Sequence, residues 1–130
     1  MEMYVYFLLT LSLFVAVGIA DNPKVTCIHQ KFSNDLGEPY TSCHQRSGAL
    51  AIPKIKQCYQ EVLKQKQIVK VANNGQMTVD RSKFTQEGTA TSRTKVGKAM
   101  QTCSNSGDDR MYQEAARAVQ CVFDQLKKSC

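Results

Sequence analysis

Proline is absent from Lys54 to Cys130, so nothing in that stretch need break a long helix. No Asn-x-Ser/Thr acceptor occurs, and N-glycosylation is not expected. The patterns C-x-x-C, H-x-x-x-H and the calcium loop are all missing, which removes the common metal signatures. Neither a G-x-S-x-G elbow nor a glycine-rich phosphate loop is present, which excludes the usual serine nucleophile and nucleotide cradle. Histidines number only two, His29 and His44. A Cys–His nucleophile pair needs a free thiolate and an orienting partner, and here every cysteine can be paired. Catalysis is therefore not expected, and no cofactor or metal is implied. Internal repeats, low-complexity tracts and domain linkers are absent, and strand signals are thin. The basic residues are dispersed and not interleaved with aromatics, so nucleic acid is not an expected partner.

What is present begins with an apolar leader. Tyr4 to Leu9, Leu11 and Leu13 to Val17 form a hydrophobic region, and Gly18 and Ala20 are small residues placed for cleavage before Asp21. Residues 1–20 are read as a signal peptide and 21–130 as one secreted, extracellular domain. No second apolar run follows, so no membrane span is expected in the mature form.

Behind the leader lie six cysteines: Cys27, Cys43, Cys58, Cys103, Cys121 and Cys130. An even count in a secreted context reads as three disulfides, which suits a small domain. The gaps of 15, 14, 44, 17 and 8 residues are wide, so the bridges should join separate elements. Loss of the leader removes Glu2 and leaves 17 basic against 10 acidic residues, a net +7. Charge of that size favours anionic partners and says little of fold.

The mature sequence reads as mostly helical. A short helix is expected over Val25 to Ser33, then a turn at Asp35 to Pro39, and a second helix from about Thr41 to Leu50. Ile55, Cys58, Tyr59 and Val62 recur at helical spacing, which predicts an amphipathic helix from Pro53 to about Val71. Met77 to Val79 reads as extended. Asp80 or Ser82 caps a helix that holds Phe84, and Gly88 to Ser92 reads as a loop or frayed end. A helix resumes from Arg93 through Cys103, followed by a loop at Ser104 to Gly107. The last helix, capped by Asp108 or Asp109, runs to Lys127 on a stripe of Met111, Ala115, Ala118, Val119, Val122, Phe123 and Leu126. These stripes make an ordinary core or line a cavity within one. The bulky candidates for ligand contact are Tyr59, Phe84, Met100, Met111, Val119 and Phe123.

These residues resemble the insect odorant-binding proteins. Cys103-x17-Cys121-x8-Cys130 looks like the end of that family. The run Cys58-Tyr59-Gln60-Glu61-Val62-Leu63, followed by Asn74 to Asp80, is similar to its third-cysteine helix and glycine turn. The 44 residues from Cys58 to Cys103 suit its third-to-fourth gap. One departure stands out: the family's second cysteine lies four positions before the third, where this chain has Lys54, and the extra cysteine is Cys43 instead. A second alignment equates Cys43 and Ser47 with the family's second and third cysteines but leaves Cys58 unexplained.

The resemblance implies an all-α fold, a compact bundle of about six helices with three disulfides around an apolar cavity. It implies the pairing Cys27–Cys58 and Cys103–Cys130, with Cys43 bridging to Cys121 in place of the missing cysteine. It implies a secreted carrier or scavenger of small hydrophobic or amphipathic ligands, including anionic ones whose carboxylate pairs with a lysine. Many antennal members are acidic, whereas this chain is basic, and it ends at its sixth cysteine without the long tail of some pheromone binders. Basic relatives occur in insect saliva and venom. The alternative expectation is thus a basic secreted effector that binds anionic host molecules or surfaces, or a protein receptor.

Overall fold

Gly37 adopts a φ of 69° and ends the first helix, a conformation that costs glycine little. The computed structural model describes residues 23–47 and 50–130. The leader and its cleavage site lie outside the described residues. Helix α1 spans Pro23–Leu36 and α2 spans Glu38–Ser47. Pro39 sits in the first turn of α2, where its missing N–H costs nothing, so the expected turn at 35–39 shrinks to Gly37 alone.

Helix α3, Ile52–Gln65, carries the predicted stripe, with Ile55, Cys58, Tyr59, Val62 and Leu63 all buried. It does not reach Val71. Gln67 turns to a φ of 62°, and the Ile68 N–H donates to the Leu63 carbonyl at 2.9 Å while that of Gln67 donates to Lys64. This is a Schellman ending on a non-glycine residue. The chain leaves it as a strand, β1 (Val69–Val71), which pairs antiparallel with β2 (Met77–Val79), Val69 opposite Val79.

Asp80 then caps α4 (Arg81–Ala90), accepting from the Lys83 N–H at 3.1 Å. That bond holds the Asp80 carboxyl below its ordinary range. The stretch 88–92, expected as a loop or a frayed end, holds the last residues of α4, Gly88 to Ala90, and the turn that follows. Helix α5, Lys95–Ser104, starts after Thr94, whose hydroxyl accepts from the Gly97 N–H at 2.9 Å. A second cap comes from α1: the Val96 N–H donates to Asp35 at 2.9 Å.

The expected final helix is broken in two. Helix α6 is Arg110–Gln113, α7 is Ala115–Lys128, and Glu114 between them is extended (φ −131°, ψ 106°). The break frees the Gln113 carbonyl, which accepts from Gln76 in the hairpin turn at 3.2 Å. Of the two expected caps, Asp108 accepts from the Arg110 N–H at 3.1 Å, whereas Asp109 makes no cap and pairs with Arg81.

The fold is thus all-α with three disulfides, with seven helices and one short hairpin among the described residues. Its core joins Val25, Ile28 and Phe32 of α1 to the inner faces of α3, α5 and α7. Phe32 packs between Tyr40 and Tyr59, ring centroids 5.4 and 4.8 Å away.

The bridges differ from the pairing that the resemblance implies. Cys43 joins Cys58, Cys103 joins Cys121 and Cys27 joins Cys130, with Cα separations of 5.5, 6.0 and 5.9 Å. All three are within ordinary bridging reach. The reason is local. Helices α2 and α3 are consecutive and packed together, so Cys43 meets Cys58 rather than Cys121. Helices α5 and α7 pack along their length, which brings Cys103 to Cys121 and leaves the last cysteine to Cys27.

Candidate functional site

The α3 stripe that builds the core also builds a pit beside it. The C-terminal end of α1 supplies Asp35 and Leu36, α3 supplies Tyr59, Val62 and Leu63, and Lys66 follows at its end. Glu87 of α4, Thr91 and Thr94 of the connection, and Val96 and Met100 of α5 close the ring. The enclosed volume is about 70 Å³. An engineered cavity of roughly 150 Å³ holds benzene, so this pit admits a group smaller than one aromatic ring.

Its polar groups are nearly all spoken for. Thr91 donates to the Glu87 carbonyl at 2.6 Å and Thr94 to the Thr91 carbonyl at 2.7 Å. Lys66 and Glu87 pair at 2.8 Å and remain partly exposed, which puts them at the mouth. The Tyr59 hydroxyl is the exception. The residue is 0 % exposed, and its hydroxyl makes no hydrogen bond within the protein. Burial first, and then the nearby Glu87 carboxylate, push its phenol well above the usual range. A buried donor without a partner is costly, about 1–3 kcal/mol, and calls for an acceptor.

Of the six residues singled out in the sequence, the structure brings Tyr59 and Met100 to the pit. Phe84, Met111, Val119 and Phe123 are buried in the core and do not line it. Phe84 meets Tyr112 edge-on at 6.2 Å, and Phe123 lies under the Lys56 ammonium at 5.0 Å. The polar wall of Asp35, Lys66, Glu87, Thr91 and Thr94 escaped sequence reasoning. Asp35 falls in the expected turn, Thr91 in the stretch read as a loop or frayed end and Thr94 in an expected helix, and no motif marks them.

Both histidines occupy a second cluster, between α1 and α2. His29 Nδ1 lies 2.9 Å from the Tyr40 hydroxyl, and the two imidazoles stand 4.4 Å apart. Burial lowers the His29 pKa. Burial, and then the charge of His29, lower that of His44. Every cysteine is bridged, so no thiolate is on hand as a nucleophile. Among the described residues, no group of three or more His, Cys, Asp or Glu side chains is placed to hold a metal ion. None of the described helices is long and apolar enough to cross a membrane. No family model matches the chain, and no curated protein or solved structure matches it.

Proposed function

We propose that the protein is a secreted, non-catalytic binding protein that takes the head of a small amphipathic molecule into the Tyr59 pit. The observation that carries this reading is the fully buried Tyr59 hydroxyl without a partner, on a residue that lines a cavity of mixed apolar and polar walls. Ligand sites combine such walls with a few polar groups that fix orientation. Leu36, Val62, Leu63, Val96 and Met100 provide the apolar contact. The likeness to odorant-binding proteins supports the reading through cysteine spacing and the α3 pattern, though not through bridge pairing.

Charge selects the head group. Asp35 and Glu87 face one lysine, Lys66, so the pit carries surplus negative charge. That disfavours a carboxylate and suits a neutral acceptor such as an alcohol or ketone. The volume suits the end of a chain, the remainder lying across the mouth. Hexanol and hexanoate, compared by amide chemical shifts, test the proposal. Hexanol should perturb Val62, Glu87 and Met100, and hexanoate should not. Tyr59→Phe should weaken hexanol about three- to tenfold, the worth of one neutral hydrogen bond. Equal perturbation by both probes, or indifference to Tyr59→Phe, would overturn it.

A further inference from the structure

We infer that four lysines gathered around the Cys27–Cys130 bridge form a docking surface for a sulfated polysaccharide. On α1, Lys24 and Lys31 stand three residues before and four after Cys27, which places both on the face of the helix that bears the bridge. Lys127 and Lys128 precede Cys130 by three and two residues at the end of α7. The bridge holds the two backbones 5.9 Å apart at their Cα atoms, so it fuses two lysine pairs into one patch. The Lys31 ammonium donates to the Ser129 hydroxyl, which ties the two halves together. Lys24, Lys127 and Lys128 are exposed.

Acids are few around the patch. No Asp or Glu occurs from Pro23 to Asn34 or from Gln125 to Cys130. Of the flanking acids, Asp21 lies outside the described residues, Asp35 accepts from the Val96 N–H, and Asp124, one turn before Lys128, accepts from the Gln120 amide and partly offsets the α7 lysines. Elsewhere, several cations are matched by acids: Lys64 of α3 by Glu61, Lys70 of the hairpin by Asp80, Arg81 of α4 by Asp109, Arg110 of α6 by Asp108 and Arg117 of α7 by Glu114. Among the described residues, none of the four patch lysines is in an ion pair. Arg46, Lys54, Lys56, Lys83, Arg93, Lys95 and Lys98 are in no ion pair either, and what sets the four lysines apart is that one bridge gathers them where α1 and α7 meet.

The surroundings of the patch select the partner. A membrane-binding surface sets apolar side chains beside its cations. Among the described residues, the exposed large apolar ones, Leu50, Ile52 and Val71, belong to the start of α3 and to the hairpin, not to this end. Binding of nucleic acid single strands needs aromatic rings to stack on. Phe32 of α1 is wholly buried. What remains is a set of compact, flexible ammonium groups, which suits separate sulfate groups along a hydrated chain. None of the four lysines lines the Tyr59 pit, so this surface stands or falls apart from the ligand reading.

The test uses the disulfide-intact protein on immobilised heparin at physiological salt. Retention is expected, steeply reduced as salt rises, because exposed charges are screened. Replacing Lys24, Lys31, Lys127 and Lys128 together by Gln should weaken binding at least tenfold. A control that replaces Arg46, Arg93, Lys95 and Lys98 by Gln removes the same charge elsewhere and should change it less than threefold. No retention of the parent protein would overturn the inference. So would equal losses in both variants, or binding to phosphatidylserine vesicles without binding to heparin.

Discussion

Gly97 sits where α5 passes closest to the end of α4. A Cβ placed there would lie 1.9 Å from the Thr91 carbonyl oxygen, a backbone atom that cannot swing aside. Alanine inside a helix normally gains about 1 kcal/mol over glycine. Overpacking of this kind costs about 1–3 kcal/mol or more, so the clash wins. Gly97→Ala should lower stability by about 2 kcal/mol, read as a reduced urea midpoint, and an unchanged midpoint would show that the contact is slack. The two histidines make a second residue-scale prediction. Their folded pKa values lie below the ordinary 6.5, so the unfolded chain binds more protons at acid pH. Their contribution is complete above pH 6.5 and is lost as pH falls through the lowered folded values. Thermal melts at pH 7.5 and 5 should show a loss that His44→Gln reduces. A variant with the same pH dependence as the parent would remove the pair as its cause.

At the scale of elements, legibility followed the periodicity of side chains. The α3 and α7 stripes were readable because i, i+3, i+4 burial leaves a mark in composition. Val69 to Val71 was not, because no glycine or proline separates it from α3 and its apolar residues read as the end of the same helix. What ends the helix is a backbone turn at Gln67, a residue with no left-handed signature. Glu114 likewise carries no breaker signal, and the break rests on contacts between the last segment and the hairpin. The pit was half legible for the same reason: Tyr59 and Met100 lie on helical stripes, whereas Asp35, Glu87 and the threonines meet only through tertiary packing. Helix α2 has no buried apolar residue besides Tyr40 and, in half-buried form, Cys43.

At the scale of the molecule the three bridges are nested, with two short loops inside one long one. Cys43–Cys58 and Cys103–Cys121 span 15 and 18 residues, and Cys27–Cys130 spans 103. In the chain-entropy model a 15-residue loop stabilises by about 3 kcal/mol and a 100-residue loop by about 4.7. Replacing Cys27 and Cys130 by Ala should therefore cost about 1.5 kcal/mol more than replacing Cys43 and Cys58. Denaturant midpoints at constant slope measure the difference, and the reverse order would mean that α2 is held chiefly by its own bridge. The outer bridge also makes the chain from Cys27 to Cys130 a covalent ring. A protease that cuts this ring once releases nothing, and the nicked protein keeps its mass until it is reduced. Between Cys58 and Cys103 the ring has an arc of 44 residues without a crosslink, which carries the hairpin and α4. Two cuts within that arc, on either side of Lys66 and Glu87, would set free a fragment that carries the mouth of the pit.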